Sequence, residues 1–281
     1  MNLRDKVVLL TGASSGIGRD AALALAKRGA TVMAVARRED RLRALIAECR
    51  ADSPRSDFLC GDLGTRAFAE LAVEETRRRL GRVDALVNNA GMPLHKQIYH
   101  TSVEDAQRVM DVNFMSCVWA TFAAIPIMLD QGAGAIVNVS SFAALVTPPR
   151  ETLYSASKAA MDAFTAGLWN DLHGANIHVG LVRPGAIDTE IWDKQAEPVA
   201  FRGHKAPASI VTDAILEVLE KEVRELTVPR RDPGLTSARV LRRLAPGLLL
   251  EGMRRFDPVP EGVLEAARER ARRGRRLGDL E

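Results

Sequence analysis

Residues 7–18 read Val7-Val8-Leu9-Leu10-Thr11-Gly12-Ala13-Ser14-Ser15-Gly16-Ile17-Gly18. An apolar β-branched run passes directly into a G-x-x-x-G-x-G turn, and a helical pattern over Ile17–Arg28 follows. Gly12 permits a tight strand-to-helix turn, Gly16 lets a ligand approach the backbone, and Gly18 lets helix pack closely on strand. The N-terminus of the following helix would offer free N–H groups and a positive dipole end to a pyrophosphate. At the end of the first strand of an α/β chain, this turn points to a dinucleotide site rather than to an empty turn.

Outward from that turn, short β-branched runs alternate with longer helical patterns. Strands are expected at Val7–Thr11, Thr31–Ala36, Asp57–Cys60, Ala85–Asn88, Ala135–Val139, His178–Val182 and Leu226–Val228. Helices are expected at Ile17–Arg28, Asp40–Arg50, Arg66–Leu80, Val103–Asp130, Ser155–His173 and Pro207–Glu222. This alternation predicts an α/β fold: a Rossmann-type doubly wound parallel sheet of about seven strands with helices on both faces. Runs such as VVLLT and AIVNV are nearly continuous in apolar residues, as strands covered on both faces should be. The βα rhythm stops after Pro229. The expected organisation is therefore one catalytic domain over residues 1–230 and a C-terminal helical appendage over 231–281.

Composition narrows the function. The chain has 281 residues, 47% apolar and 27% charged, with net charge +3, which suits a folded body with a substantial core. The 14 basic and 9 acidic residues of 224–281 give that segment +5, so the rest carries −2 and a nucleic-acid-binding body is not expected. Cys49, Cys60 and Cys117 have no metal-ligand spacing, and their odd, scattered number fits a reducing, cytoplasmic setting without a metal site. The N-terminus shows no secretory signal pattern, and the apolar stretch Phe114–Leu129 is expected to be a core or interface helix.

The second strand ends in Ala36-Arg37-Arg38, with no acid before Glu39. A free ribose 2′-hydroxyl usually meets a carboxylate there. Arg37 and Arg38 instead suit a 2′-phosphate through forked, charge-assisted hydrogen bonds, so NADP(H) is favoured over NAD(H). Further along, Tyr154 and Lys158 are four residues apart and share a helix face. An ammonium beside a phenol lowers the phenol's pKa, which would let Tyr154 act as acid to a carbonyl or base to an alcohol.

Together with Asp62-Leu63, Asn88-Asn89-Ala90-Gly91, Asn113, Ser141, Tyr154-Ser155-Ala156-Ser157-Lys158 and Pro184-Gly185 with Thr189, these features resemble the short-chain dehydrogenase/reductase family over residues 5–230. The resemblance implies Asn113, Ser141, Tyr154 and Lys158 as the catalytic group, with Ser141 holding the substrate oxygen and Asn113 a proton-relaying water. It also implies cofactor contacts from Gly12, Ser14, Ser15, Gly16, Ile17, Gly18, Arg37, Arg38, Asp62, Leu63, Asn89, Ala90, Gly91, Tyr154, Lys158, Pro184, Gly185, Ile187 and Thr189. Asn88 and Asn89 could equally brace the sheet.

The family's substrate side falls here on Met92, Leu94, Phe142, Leu145, Val146, Ile191, Trp192, Val199 and Phe201. That lining suggests a small hydrophobic ketone, aldehyde or secondary alcohol, with His95, Lys96, His204 and Lys205 read as solvated loop residues. The alternatives are NAD(H)-dependent alcohol oxidation by the same chemistry, or a catalytically idle dinucleotide-binding scaffold. The helix around Val112–Leu129 is apolar over most of its circumference, and the resemblance implies that it forms a homodimer, with a tetramer less expected. Residues 238–256 place five arginines among large apolar side chains. Packing on protein is preferred for them over peripheral contact with a membrane.

Overall fold

A computed structural model describes residues 1–197, 201, 203–256, 258–260 and 262–273. The element order begins β1 (Val7–Thr11), α1 (Gly16–Lys27), β2 (Thr31–Ala36), α2 (Glu39–Cys49), β3 (Asp57–Cys60), α3 (Arg66–Leu80) and β4 (Ala85–Asn88). It continues with α4 (Val103–Met110), a π-helical turn (Asp111–Met115), α5 (Ser116–Gln131), β5 (Gly134–Val139), α6 (Ala143–Val146), α7 (Thr152–Asp171) and β6 (Ile177–Pro184). Two short strands, β7 (Ile187–Asp188) and β8 (Ala206–Pro207), then precede α8 (Ser209–Lys221) and β9 (Glu225–Val228). The tail forms α9 (Pro233–Leu244), α10 (Pro246–Phe256) and α11 (Val263–Arg272).

The main sheet has seven strands in the order β3-β2-β1-β4-β5-β6-β9, and every neighbouring pair is parallel. The seven expected strands are these seven. Each of β1, β2, β4 and β5 is buried along its whole length, because helices cover both faces. One apolar layer joins Leu10, Val32 and Val137 to Leu25 and Ile215 of the helices on one face. The other joins Leu9, Met33 and Ile136 to Val73 of α3 and Ala124 and Met128 of α5. The span Val103–Gln131 is long and apolar enough to cross a membrane, but Ala120, Ala124, Ile127 and Met128 are packed into that second layer.

The order of strands reverses between β1 and β4, so the loops after these two strands diverge and leave a crevice at their carboxyl ends. The expected helix over 103–130 is interrupted. Five residues, Asp111–Met115, adopt π-helical spacing, and Asn113 sits fully buried among them. Gly134 accepts the close approach of Met128, since a Cβ there would lie 2.5 Å from its Cγ and Sδ.

Candidate active site

The glycine turn and the turn after β4 grip each other. Thr11 donates its hydroxyl to Val87 O at 3.2 Å and accepts from the N–H groups of Asn89 and Ala90, each at 3.0 Å. Asn89 Nδ2 donates to Thr11 O at 3.0 Å and to Gly12 O at 3.4 Å. The contact leaves no room for side chains: a Cβ on Gly12, whose φ is +70°, would lie 2.8 Å from Ala90 Cα, and one on Gly18 would lie 2.3 Å from Gly12 O. Asn89 is thus committed to bracing. Asn88 is too, since its amide donates to Asn138 Oδ1 at 2.9 Å inside the core. Gly16, at φ +52°, faces Thr189, which brings the loop after β7 over the turn.

Arg38 lies across the same turn. Its guanidinium donates from Nη2 to Ser14 Oγ at 2.9 Å and Ser15 Oγ at 2.6 Å, and from Nη1 to Glu190 Oε2 at 2.9 Å. Arg41 reaches the other oxygen of Glu190. Arg37 is exposed and acts electrostatically on Asp62. The two arginines that look alike in sequence are therefore distinct in space. Hydrogen bonds from Arg38 and Arg41 pull the Glu190 carboxyl down to about 2. Asp62 is tied to the protein by both oxygens, at 2.9 and 2.8 Å from Arg108 Nη2. Its slight burial is overcome by the Gly64 N–H and the Arg108 guanidinium, which hold its carboxyl low. Leu63 belongs to the core with Val35 and Val73.

The reacting end is assembled by three elements. Ser141 follows β5, Tyr154 and Lys158 stand one turn apart on α7, and Asn113 comes from the π turn. Tyr154 is hydrogen-bonded to Ser141, whose Oγ also accepts the Ala143 N–H at 3.1 Å. Lys158 donates from Nζ to Val139 O at 2.9 Å and is only 3% exposed. Asn113 accepts the Met92 N–H at 2.7 Å and donates to Met92 O at 3.0 Å and Ser157 Oγ at 3.1 Å. Its amide thereby pins the loop after β4 to α7. Ser140, one residue short of Ser141, is buried and donates to Lys158 O.

The electrostatics differ from the sequence expectation. The Tyr154 phenol is not lowered: burial pushes it up to about 12, the nearby Glu151 carboxylate adds to this, and only the Ser141 hydrogen bond opposes it. Burial drives Lys158 down to about 8. Burial strips solvation from each charged form, and this desolvation is the largest cause of both shifts.

Ser141, Tyr154 and Lys158 share one cavity of about 460 Å³, whereas the buried Asn113 does not line it. Ile17, Asn89, Gly91, Ser141, Tyr154, Lys158, Pro184, Gly185, Ile187 and Thr189 line it toward the glycine turn. Leu94, Phe142, Val146, Ile191, Trp192 and Phe201 line the other end. Met92 and Leu145 do not line it, and Val199 lies outside the described residues. His95, read from sequence as a solvated loop residue, is 3% exposed, lines the cavity and stands 3.8 Å from Glu151. His204 also lines it, whereas Lys205 sits over the Trp192 ring. The tail, expected from sequence to pack on protein, does so here, and Leu235, Ala238 and Met253 contribute to the lining.

The match to known proteins follows the same residues. The family model for short chain dehydrogenase covers residues 6–200. The chain belongs to the short-chain dehydrogenase family. It is 36% identical over 197 residues to a 3-oxoacyl-acyl-carrier-protein reductase of Thermotoga maritima, covering 70% of this chain and 80% of that one. To 11-beta-hydroxysteroid dehydrogenase 1A of Arabidopsis thaliana it is 41% identical over 194 residues, covering 68% of this chain and 54% of that one. A short-chain dehydrogenase from Sphingobium yanoikuyae in complex with NADPH superposes with a TM-score of 0.74 at 28% identity, over 92% of this chain and 97% of that one. An alcohol dehydrogenase from Thermococcus sibiricus complexed with 5-hydroxy-NADP gives 0.72 at 25% identity, over 82% and 99%. This short-chain dehydrogenase/reductase is thus an oxidoreductase with a nicotinamide-dinucleotide-binding fold. The crevice at the strand-order reversal, with Ile17 of α1, Gly91 after β4 and Thr189 after β7 along one cavity, fits such a cofactor.

Proposed function

We propose that the protein is an NADP(H)-dependent reductase or dehydrogenase acting on a small hydrophobic ketone, aldehyde or secondary alcohol. The observation that carries this is the shared cavity in which Ser141, Tyr154 and Lys158 face an apolar end, with Arg38 fixed on Ser14 and Ser15 at the edge of the glycine turn. The bound cofactor supplies or accepts the hydride. Ser141 positions the substrate oxygen by a hydrogen bond. Tyr154 gives its proton to that oxygen in reduction and takes it back in oxidation. The high phenol pKa keeps Tyr154 protonated, ready for the reductive direction. Lys158 and Asn113 act on the position of these groups: the lysine is anchored on Val139 O, and the asparagine fixes the Met92 loop against α7.

The apolar lining and the scarcity of basic groups at its substrate end argue for a neutral substrate rather than a phosphorylated one. Phe122 and Leu129 of α5 are left exposed, and Phe122 packs beside Phe164 of α7. We take this face as the contact of a cytoplasmic homodimer. The catalytic assignment is tested by Tyr154→Phe, which removes the transferable proton and keeps the ring. Turnover with a carbonyl panel should fall by roughly 10²–10⁴-fold, while NADPH binding by calorimetry stays within a factor of three of wild type, on the order of 0.6 kcal/mol. A variant with near wild-type kcat refutes it.

A further inference from the structure

The helical tail has two unlike faces. Its inner side chains, Leu235, Ala238 and Met253, close one end of the substrate cavity. Away from the cavity, Val240 and Leu244, one turn apart on α9, are each more than half exposed, as are Leu248 and Leu250, which flank the buried Leu249 on α10, and Leu244 reaches 77%. Four large apolar groups left in water on two successive helices mark a contact surface.

Arginines border the patch. Arg239, Arg242, Arg243, Arg254 and Arg255 are all exposed, and Glu251 is the one acid between residues 233 and 256. Glu251 pairs with Arg254 and Arg255. For Arg239, Arg242 and Arg243 the described residues provide no carboxylate. The patch therefore asks for a partner that is apolar and negatively charged at once.

A second copy of this chain does not meet that demand. A two-fold contact sets a patch against itself, which here would oppose five arginines to five. An anionic bilayer meets it: acyl chains receive the leucines and headgroup phosphates and carboxylates receive the arginines. Helices of 12 and 11 residues are too short to cross a bilayer, so the contact is at its surface.

We propose that the outer face of α9 and α10 docks on an anionic lipid surface. The cavity then lies behind these helices, about one helix diameter or ~10 Å from the lipid. The inference does not depend on the substrate or on turnover.

Sedimentation of the purified full-length protein with vesicles tests it. Wild type should pellet with phosphatidylcholine vesicles containing phosphatidylserine, much less with phosphatidylcholine alone, and should be released by high salt. Arg242→Glu/Arg243→Glu and Leu244→Glu/Leu248→Glu should each lower partitioning by at least about tenfold. Circular dichroism should show both folded. Failure of wild type to bind anionic vesicles overturns the proposal, and so does binding that both variants retain. It is also overturned if light scattering shows that Leu244→Glu/Leu248→Glu lowers the oligomer mass of the wild-type protein, which assigns the patch to a second copy.

Discussion

Replacing Arg38 by alanine should separate NADPH from NADH. The Arg38 guanidinium stands on the rim of the glycine turn, with Nη2 at 2.9 Å from Ser14 Oγ and 2.6 Å from Ser15 Oγ. A 2′-phosphate at that rim would take a charge-assisted hydrogen bond worth about 1.5–3 kcal/mol. Its loss raises the Kd for NADPH by roughly 10–150-fold. One effect opposes this. Glu190 already accepts from Arg38 at 2.9 Å, so the phosphate must displace a carboxylate. The side chains of that pair are 32% and 38% exposed, which makes it a screened ion pair worth no more than about 1 kcal/mol. The competition reduces the loss without cancelling it.

NADH, without the phosphate, should lose less than about threefold, through loosening of Ser14 and Ser15 alone. Arg37→Ala should matter less than Arg38→Ala for NADPH, because Arg37 is exposed, whereas Arg38 is held on Ser14 and Ser15. Glu190→Gln, which weakens the competitor, should tighten NADPH by up to about fivefold. Calorimetric titration of each protein with both cofactors, at two salt concentrations, measures these differences. Equal loss of NADPH and NADH on Arg38→Ala refutes the reasoning, as does wild-type preference for NADH.

Two further outcomes are expected. Burial holds Lys158 near 8 against its ordinary 10.5, so the unfolded chain takes up a proton that the native site resists. Below pH 8 both states are charged and the whole penalty, on the order of 3 kcal/mol, weighs on the fold; as pH rises from 8 toward 10.5 it disappears. Lys158→Met removes it, so the Tm difference between variant and wild type should be more positive at pH 7 than at pH 9.5. A difference independent of pH contradicts the assignment. For the α5 contact, wild type should show a dimer mass by light scattering at micromolar concentration and Phe122→Asp a monomer mass, whereas a monomeric wild type rejects the homodimer.

Local spacing carried much of this molecule. The alternation of apolar runs and helical patterns specifies seven strands and their parallel direction, because helices must cross over between them and a strand covered on both faces is apolar throughout. Likewise, the glycine spacing after β1 and the four-residue step from Tyr154 to Lys158 are facts of one turn or one helix, set within a few residues of each other. The composition of 238–256 showed an amphipathic segment. What it covered was not local information.

Tertiary structure decided the rest, and in each case through partners far apart in the chain. The π turn places Asn113 against Met92 and Ser157, 21 and 44 residues away, and nothing in its neighbours announces the break in helical phase. Arg37 and Arg38 are adjacent and chemically identical; only the direction of the chain leaving β2, and Glu190 reaching back from beyond β7, separates the one on the turn from the one in solvent. His95 reads as a solvated loop residue, and only the fold shows that its loop buries it in the wall of the cavity that α6 and the tail also line. Tyr154 shows the limit most clearly. Sequence puts a cation one turn away from it, but the sign of its pKa shift is set by the water that packing removes, and desolvation sums over every neighbour the fold supplies.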